Sequence, residues 1–383
     1  MKRKITVTTG TRSEFGLLHT VLEEISNSKN LELFVLVAGM HLSKKYGSTV
    51  KEITKAGFKI HGTIPMVPKH DTNYDMSVSL GKGIIEFSKL FKKIKPDLNL
   101  VLGDRDESLA SSLAAYHMNI PNAHIHGGDK TQAGIDEYTR HAITKISNLH
   151  FAATKKSKNR IIRMGENPKF VFHTGSPSVD DIINNKITTR KNLEQKYNIK
   201  FTGKEIIVLQ HPVTTQSEKT QSEILSTLKA VSKIKQTIIL IAPNSDAGNE
   251  TIFQNMEDFS EKFSFIKMFR SIPRADFLGL LKNCGVLVGN SSSGIIEASY
   301  FHIPVINIGI RQNDRERGKN IVNIPLFSTN LIYSTINKIL KSTPKKSIRK
   351  NQIYGSTIAS KKIVKILEKT NLNKELIQKQ ITY

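Results

Sequence analysis

Short apolar segments rich in β-branched residues alternate with polar loops and helical patterns along most of this chain, and this alternation constrains the fold more than any other feature. The strand-like segments lie at 5–9, 31–37, 98–102, 123–126, 205–209, 237–241, 286–288 and 304–308. Helical patterns separate them, at 84–94, 107–116, 223–233, 276–282 and 294–300. Buried strands that alternate with helices are typical of a parallel sheet covered on both faces. The sequence therefore predicts an α/β fold.

The alternation pauses once, which indicates two domains. The pause lies at 175–204, where Asn, Thr and Lys collect around Pro177. A chain of 383 residues also exceeds the usual size of one domain, about 150 residues. We therefore expect two α/β domains that face each other across a cleft, followed by a basic tail with a helical pattern from residue 338.

The charge suggests an anionic partner. Lys and Arg number 57 against 33 Asp and Glu, a net charge of +24, which suits phosphorylated small molecules, nucleic acid or a membrane surface. Absence of Trp, and of aromatic residues within the basic stretches, argues against nucleic acid. About +10 of the excess lies in the tail from residue 338, where a solvated surface accounts for it.

Other features bound the class of protein. No apolar run reaches the roughly 18 residues that a membrane-spanning helix needs, and the basic start lacks the apolar core of a signal peptide. Cys284 is the only cysteine, which excludes disulfides and cysteine-based zinc sites within the chain. We expect a cytoplasmic protein without a membrane partner.

Two loops are suited to phosphate. Residues 10–16, GTRSEFG, offer backbone donors, a helix start and Arg12, although a tight turn capped by Ser13 explains the same residues. Residues 290–294, NSSSG, open a helix after a strand, and a serine-rich helix cap is the simpler explanation. Glu297 follows, and its carboxylate could accept hydrogen bonds from ribose hydroxyls.

Two further loops are suited to acid/base chemistry. Asp104 lies at the end of a strand, beside Arg105. It could be an acid/base group or the cap of the next helix. Residues 124–129, HIHGGD, place two histidines on one face of a strand before a glycine pair, and 136–141 adds carboxylates. The spacing matches no zinc signature, so acid/base chemistry is favoured over a metal. His211 lies at the end of a strand of the second domain, where its role could be functional or structural.

Eight sequence blocks carry a resemblance to a known family. They are TGTRSEFG (9–16), GMHLSKKYG (39–47), LGDRDE (102–107), HIHGGDKT (124–131), IDEYTRHAITK (135–145), QHP (210–212), GNSSSGIIE (289–297) and INIGIRQ (306–312). With these blocks in this order, the chain resembles the hydrolysing UDP-N-acetylglucosamine 2-epimerases of the bacterial sialic-acid pathway.

The resemblance implies an architecture. It consists of two Rossmann-like domains facing a cleft, as in GT-B glycosyltransferases, with a C-terminal helix that returns to the first domain. The corresponding ranges are 1–178 for the catalytic domain, 179–355 for the UDP-binding domain and 356–383 for the helix. A homodimer or homotetramer is also implied.

The resemblance also implies a reaction without a metal or redox cofactor. A base removes the C2 proton of UDP-N-acetylglucosamine while UDP leaves from C1, which gives 2-acetamidoglucal. Water then adds with inversion at C2 and releases N-acetylmannosamine.

Roles follow from the matched blocks. Catalytic roles fall on Asp104, His126, Asp129, Asp136 and His211. Substrate-binding roles fall on Arg12, His41, Arg105, Ser291, Ser292, Glu297 and Arg311, among which Arg12, Ser291, Ser292 and Arg311 would hold the diphosphate and Glu297 the ribose.

The chain departs from the family pattern at three positions, the last two of which leave the sugar open. His126 stands where some members have Glu, Asp129 replaces the usual Glu, and Ile310 replaces an Asp of some bacterial members. The alternatives are a hydrolysing epimerase of a UDP-linked 2,4-diacetamido-trideoxy sugar from the legionaminic acid pathway, a non-hydrolysing epimerase, and a GT-B glycosyltransferase. HIHGGD argues against the non-hydrolysing branch, which typically has a Glu-Ala-Gly arrangement there.

Overall fold

A computed structural model describes residues 2–44, 47–132, 135–244, 246–342 and 353–383. Two predicted regions extend beyond these ranges, since residues 45–46 of the block at 39–47 and residues 343–352 of the basic tail lie outside them.

Thirteen strands occur in the described part of the chain. They are β1 (Arg3–Thr9), β2 (Leu31–Ala38), β3 (Ile60–Ile64), β4 (Leu98–Leu102), β5 (Asn122–Ile125), β6 (Leu149–Ala152), β7 (Val171–His173), β8 (Ile206–Leu209), β9 (Ile238–Ile241), β10 (Ile266–Phe269), β11 (Val286–Gly289), β12 (Val305–Ile308) and β13 (Ile321–Ile324).

The helices of the same ranges lie between and after these strands. They are α1 (Arg12–Asn27), α2 (Val50–Lys55), α3 (Asn73–Ile94), α4 (Asp106–His117), α5 (Asp136–Ile146), α6 (Lys155–Arg163), α7 (Asp180–Ile183), α8 (Arg190–Tyr197), α9 (Thr220–Ser232), α10 (Asn249–Lys262), α11 (Arg274–Asn283), α12 (Ser292–Ile295), α13 (Glu297–Tyr300), α14 (Thr329–Lys341), α15 (Ala359–Lys369) and α16 (Lys374–Ile377).

The chain forms two compact units. Unit 1 comprises Met1–Lys130, Ile135–Ile183 and Tyr354–Tyr383, and unit 2 comprises Thr131–Gly134 and Asn184–Ile353. Unit 1 contains a seven-stranded sheet in the order β3-β2-β1-β4-β5-β6-β7, and unit 2 a six-stranded sheet in the order β10-β9-β8-β11-β12-β13. The strand pairings that the structure describes are parallel. The predicted fold class, two Rossmann-like α/β sheets, is confirmed.

The C-terminal helix packs on unit 1, as predicted. Ile363 and Leu367 of α15 are fully buried in the same core as Leu18 and Leu22 of α1. Asp180 caps the start of α15, because its carboxylate accepts hydrogen bonds from the backbone nitrogens of Ala359 (2.8 Å) and Ser360 (2.9 Å). The helix is therefore held by apolar packing along one face and by a cap at its first turn.

Some elements differ from the sequence prediction. Five strands, β3, β6, β7, β10 and β13, were not predicted. Four of them, β3, β7, β10 and β13, are the edge strands of the two sheets and are only partly buried, so their apolar pattern is weak. The predicted helix at 294–300 is divided at Ile296 into α12 and α13. The predicted connection at 175–204 contains α7 and α8. None of the described helices is long and apolar enough to cross a membrane.

Candidate active site

The predicted loops lie at the positions where parallel sheets usually bind ligands. In unit 1 the strand order reverses between β1 and β4, and in unit 2 between β8 and β11. Ligands of open α/β sheets bind beyond the carboxyl ends of strands at such switch points. The loops that begin at Gly10 and Gly103 follow β1 and β4, and those that contain His211 and Asn290 follow β8 and β11.

The Gly10 loop is held by its own unit. Thr11, rather than Ser13, is the N-cap of α1, and its hydroxyl accepts a hydrogen bond from the backbone nitrogen of Glu14 at 3.2 Å. The side chain of Arg12 forms an ion pair with Glu52 of α2, with Nε 2.6 Å from Oε2. Arg12 is therefore anchored by a carboxylate in this structure, and its predicted diphosphate contact stays a prediction.

His41 is buried beneath the same loop. Its Nδ1 lies 2.7 Å from Thr49 Oγ1, its Nε2 lies 3.1 Å from Thr9 Oγ1, and its backbone nitrogen donates to Gly10 O at 3.3 Å. Burial lowers the pKa of His41 to about 4, so the ring is neutral at pH 7. These contacts fix the loop, and the predicted role of His41 in binding substrate stays a prediction.

Two buried glutamates behind the loop were missed by sequence reasoning. Glu14 and Glu107 are each 3 % exposed, and the pKa of Glu14 rises to about 7, first because of burial and then because of the charge of Glu107. Glycine is required at 39, with φ +56°, because an added Cβ would lie 2.1 Å from Glu107 Oε1. Glu107 also accepts a hydrogen bond from Arg105 Nε at 3.1 Å. The sequence does not show that these two carboxyl groups are close together, because Glu14 lies in α1 and Glu107 lies in α4.

A buried arginine joins two of the predicted catalytic residues. Arg140 of α5 is 1 % exposed and forms ion pairs with Asp104 and with Glu137, the latter at 3.3 Å. Its NH1 also donates to the backbone oxygen of Asp129 at 3.3 Å. Arg140 has no predicted role, although it stands within the matched block at 135–145. The guanidinium of Arg140 therefore connects the carboxylate of Asp104 to the loop that contains Asp129.

The two histidines of HIHGGD have different environments. His124 lies in β5, with Nε2 2.7 Å from Gly103 O and Nδ1 3.2 Å from Thr144 Oγ1. Complete burial lowers the pKa of His124 to about 3, so this ring is a neutral support for the Gly103 turn. His126 follows the end of β5, and its ring contacts Asp129 and Ser176. Asp136 begins α5 and is half-buried.

In unit 2, Asn290 positions the backbone of His211. Its side-chain oxygen accepts a hydrogen bond from His211 N at 2.7 Å, and its side-chain nitrogen donates to His211 O at 2.8 Å. The backbone oxygen of Asn290 accepts in turn from Arg311 NH1 at 3.3 Å. Ser291 caps α12, whose first residue is Ser292. The structure thus brings four predicted residues of unit 2 together, with Asn290 as a further residue that sequence reasoning left without a role.

Of the two carboxylate oxygens of Glu297, one accepts a hydrogen bond from the protein and the other accepts none from the described residues. The residue is 2 % exposed, and Oε1 accepts a hydrogen bond from Arg274 NH1 at 2.9 Å. Oε2 is buried and has no hydrogen-bond partner in the described parts of the chain. A buried carboxylate oxygen without a donor is costly, so this atom is suited to a hydroxyl donor from a ligand.

The described residues hold no group of three or more His, Cys, Asp or Glu side chains that could bind a metal ion. The residues grouped around Asp104 and His126 include proton donors, proton acceptors and the guanidinium of Arg140. Such groups can transfer protons and stabilise negative charge.

Comparison with known proteins decides the family. The model of the UDP-N-acetylglucosamine 2-epimerase family matches residues 23–368. The chain belongs to this family. The UDP-N,N'-diacetylbacillosamine 2-epimerase (hydrolyzing) of Legionella pneumophila is 35 % identical over all of both chains. The UDP-N-acetylglucosamine 2-epimerase of Neisseria meningitidis serogroup B is 34 % identical over 86 % of this chain, with 86 % of that protein covered. The predicted membership of the hydrolysing branch is confirmed.

A solved structure supports the same fold. The UDP-GlcNAc 2-epimerase of Methanocaldococcus jannaschii, in complex with UDP-GlcNAc and UDP, superposes with a TM-score of 0.79 over 95 % of this chain and 99 % of that chain, at 19 % identity. At this identity the likeness establishes the fold alone.

Proposed function

We propose that this protein cleaves a UDP-linked 2-acetamido sugar and releases UDP together with the free sugar inverted at C2. The observation that carries the proposal is the buried group around Arg140, which joins Asp104 to the loop of Asp129 and His126 at the ends of β4 and β5. A base is required to remove the weakly acidic C2 proton, and an acid or a cation is required as the diphosphate departs.

The residues of unit 1 suit the proton transfers. Asp104, His126 and Asp136 offer proton-accepting and proton-donating groups within the matched blocks, and Asp129 supports His126. Arg105 adds a guanidinium near the loop after β4. The tight burial of Arg140 keeps this group ordered, which favours reaction through a preorganised site.

The residues of unit 2 suit the nucleotide. Glu297 Oε2 would accept a ribose hydroxyl, and the start of α12 with Ser291, Ser292 and Arg311 would bind the diphosphate. His211, held by Asn290, would contact the junction of sugar and phosphate.

We infer that the preferred sugar is N,N'-diacetylbacillosamine. Support comes from the hydrolysing relative whose similarity extends over all of both chains. The second candidate is UDP-N-acetylglucosamine, the substrate that the sequence blocks imply. It is supported by a relative of nearly equal identity over 86 % of the chain.

The test is incubation with each UDP-sugar, followed by NMR of the products. We expect free UDP and the free 2-epimer, with the higher kcat/KM for the diacetamido sugar. Higher kcat/KM for UDP-N-acetylglucosamine would reverse the choice of sugar. An epimer still linked to UDP would contradict hydrolysis. Asp104→Asn is the control variant, with turnover expected to fall ~10²-fold or more if Asp104 transfers a proton.

A further inference from the structure

His126 has an uncommon backbone conformation. Its φ is +65°, a left-handed value in which few residues other than glycine are found, although His is enriched among the exceptions. It stands between the last residue of β5 and the pair Gly127 and Gly128. Such a conformation persists where surrounding contacts hold it, and both nitrogens of the His126 ring are held.

The contacts of the ring fix its hydrogen. Nδ1 lies 3.0 Å from Asp129 Oδ2, and the other oxygen of Asp129 accepts from Ser157 Oγ at 2.8 Å. An ionised carboxylate only accepts, so a neutral His126 must carry its hydrogen on Nδ1. Nε2 then presents its lone pair.

A buried serine occupies the Nε2 side. Ser176 Oγ lies 2.7 Å from Nε2 and 2.6 Å from Ser178 Oγ, and it also accepts from Ser178 N at 3.2 Å. The backbone nitrogen of Ser176 donates to Tyr354 O at 2.8 Å, and the residue is fully buried. The hydroxyl can donate to Nε2 of the neutral ring, or accept from Nε2–H of the charged ring while donating to Ser178.

We propose that Ser176 is a positioning residue for His126, and that Asp129 and Ser176 together fix the tautomer and the orientation of the His126 ring. This inference rests on the proposed function, since it gives a role to a residue that supports His126 in that reaction. Ser176 lies 50 residues after His126 in the segment that the sequence analysis interpreted as a connection. The carboxylate on one side and the hydroxyl on the other leave a single neutral tautomer with both nitrogens satisfied.

Two measurements test the inference. In nitrogen NMR of the histidine-labelled protein, with His126→Gln used for assignment, we expect Nδ1 of the neutral ring to be protonated and Nε2 bare. In kinetics, Ser176→Ala should lower kcat about 10-fold, the scale of one lost hydrogen bond, with KM little changed. Ser176→Thr, which keeps the hydroxyl, should recover most of kcat.

A double variant and a control complete the design. Because Ser176 acts through His126, adding Ser176→Ala to His126→Ala should cause no further loss of kcat. If the two residues had independent roles, the two losses of kcat would multiply. Ser147→Ala removes another fully buried hydroxyl, one that donates to Ile143 O in α5, and should leave kcat unchanged.

The outcomes are separable from those of the proposed function. Wild-type kcat in Ser176→Ala, multiplicative losses in the double variant, or a hydrogen on Nε2 of the neutral ring would each overturn the role of Ser176. Failure of the wild-type protein to release UDP would overturn the proposed function, while the NMR measurement would still decide the tautomer. If Ser176→Ala does not fold, the wild-type tautomer and the Ser176→Thr kinetics decide.

Discussion

Glu14 provides a prediction whose size follows from the structure. Its carboxyl is buried, with Oε2 2.5 Å from Gly10 N and Oε1 3.1 Å from Ser108 Oγ. Ser108 also donates to Leu102 O at 3.0 Å. Because the Ser108 hydroxyl has one hydrogen to share between Glu14 and Leu102, its donation offsets little of the cost of burying an ionised Glu14 carboxylate.

The magnitude comes from the raised pKa. A pKa of 4.5 in the unfolded chain and about 7 in the folded protein corresponds to roughly 3 kcal/mol. The folded state binds the proton more tightly, so the stability that this group contributes is fully present below pH 4.5 and is lost as the pH rises through about 7. Glu14→Gln cannot ionise, and its own packing cost does not vary with pH.

The assay is urea unfolding followed by circular dichroism, which suits a chain without Trp. We expect the free energy of unfolding of the wild type, relative to Glu14→Gln, to fall by ~3 kcal/mol between about pH 4.5 and about pH 8. Glu24→Gln makes the same change at a half-buried position of α1 and is the matched control. A difference between wild type and Glu14→Gln that stays constant with pH would refute a protonated Glu14.

Three further variants test the site and its support. Arg140→Met removes the cation shared by Asp104 and Glu137. We expect the free energy of unfolding to fall by ~3 kcal/mol and the rate of UDP release to fall ~10²-fold or more. An unchanged rate of UDP release would contradict the role of Arg140. Glu297→Gln replaces an acceptor by a donor, and calorimetry with UDP should show binding weakened about 10-fold, whereas an unchanged Kd would remove Glu297 from the nucleotide contacts. Asp180→Ala removes the cap of α15 and should cost about 1–2 kcal/mol, with faster proteolysis after residue 358; Asp180→Asn, which keeps one acceptor, should lose less.

Much of the fold could be predicted because its signals are local. The strand Leu98–Leu102 has four apolar residues out of five and is buried throughout, and its predicted bounds agree with the structure. The strand Val171–His173 has three residues, one of them His, and owes its place to neighbouring strands. Short segments of this kind depend on tertiary contacts that no window of sequence contains.

The site could be predicted where a loop follows a strand, and not where partners come from distant elements. Asp104 and His126 stand in blocks that mark them. Arg140 and Asn290 also stand in matched blocks, but their contacts with Asp104 and His211 span 36 and 79 residues, and Ser176 lies 50 residues after His126 and outside every block.

The basic tail illustrates the same point. Lys379 was interpreted as part of a solvated surface, yet its Nζ lies 2.7 Å from the buried carboxylate of Glu166, which also binds Lys145 at 2.8 Å. Burial raises the pKa of Glu166, but the contact with His150 and then the hydrogen bonds from Lys145 and Lys379 outweigh it and lower the pKa to about 2. Charge composition alone does not distinguish such an anchor from an exposed lysine.

The central claim is epimerisation with hydrolysis through removal of the C2 proton. The most direct measurement is the reaction of each UDP-sugar in deuterium oxide, followed by NMR of the products. The account predicts one UDP for each free sugar released, inversion at C2 and deuterium at that carbon. A released sugar that keeps its C2 configuration and its C2 proton would contradict the account, because UDP would then leave by simple hydrolysis.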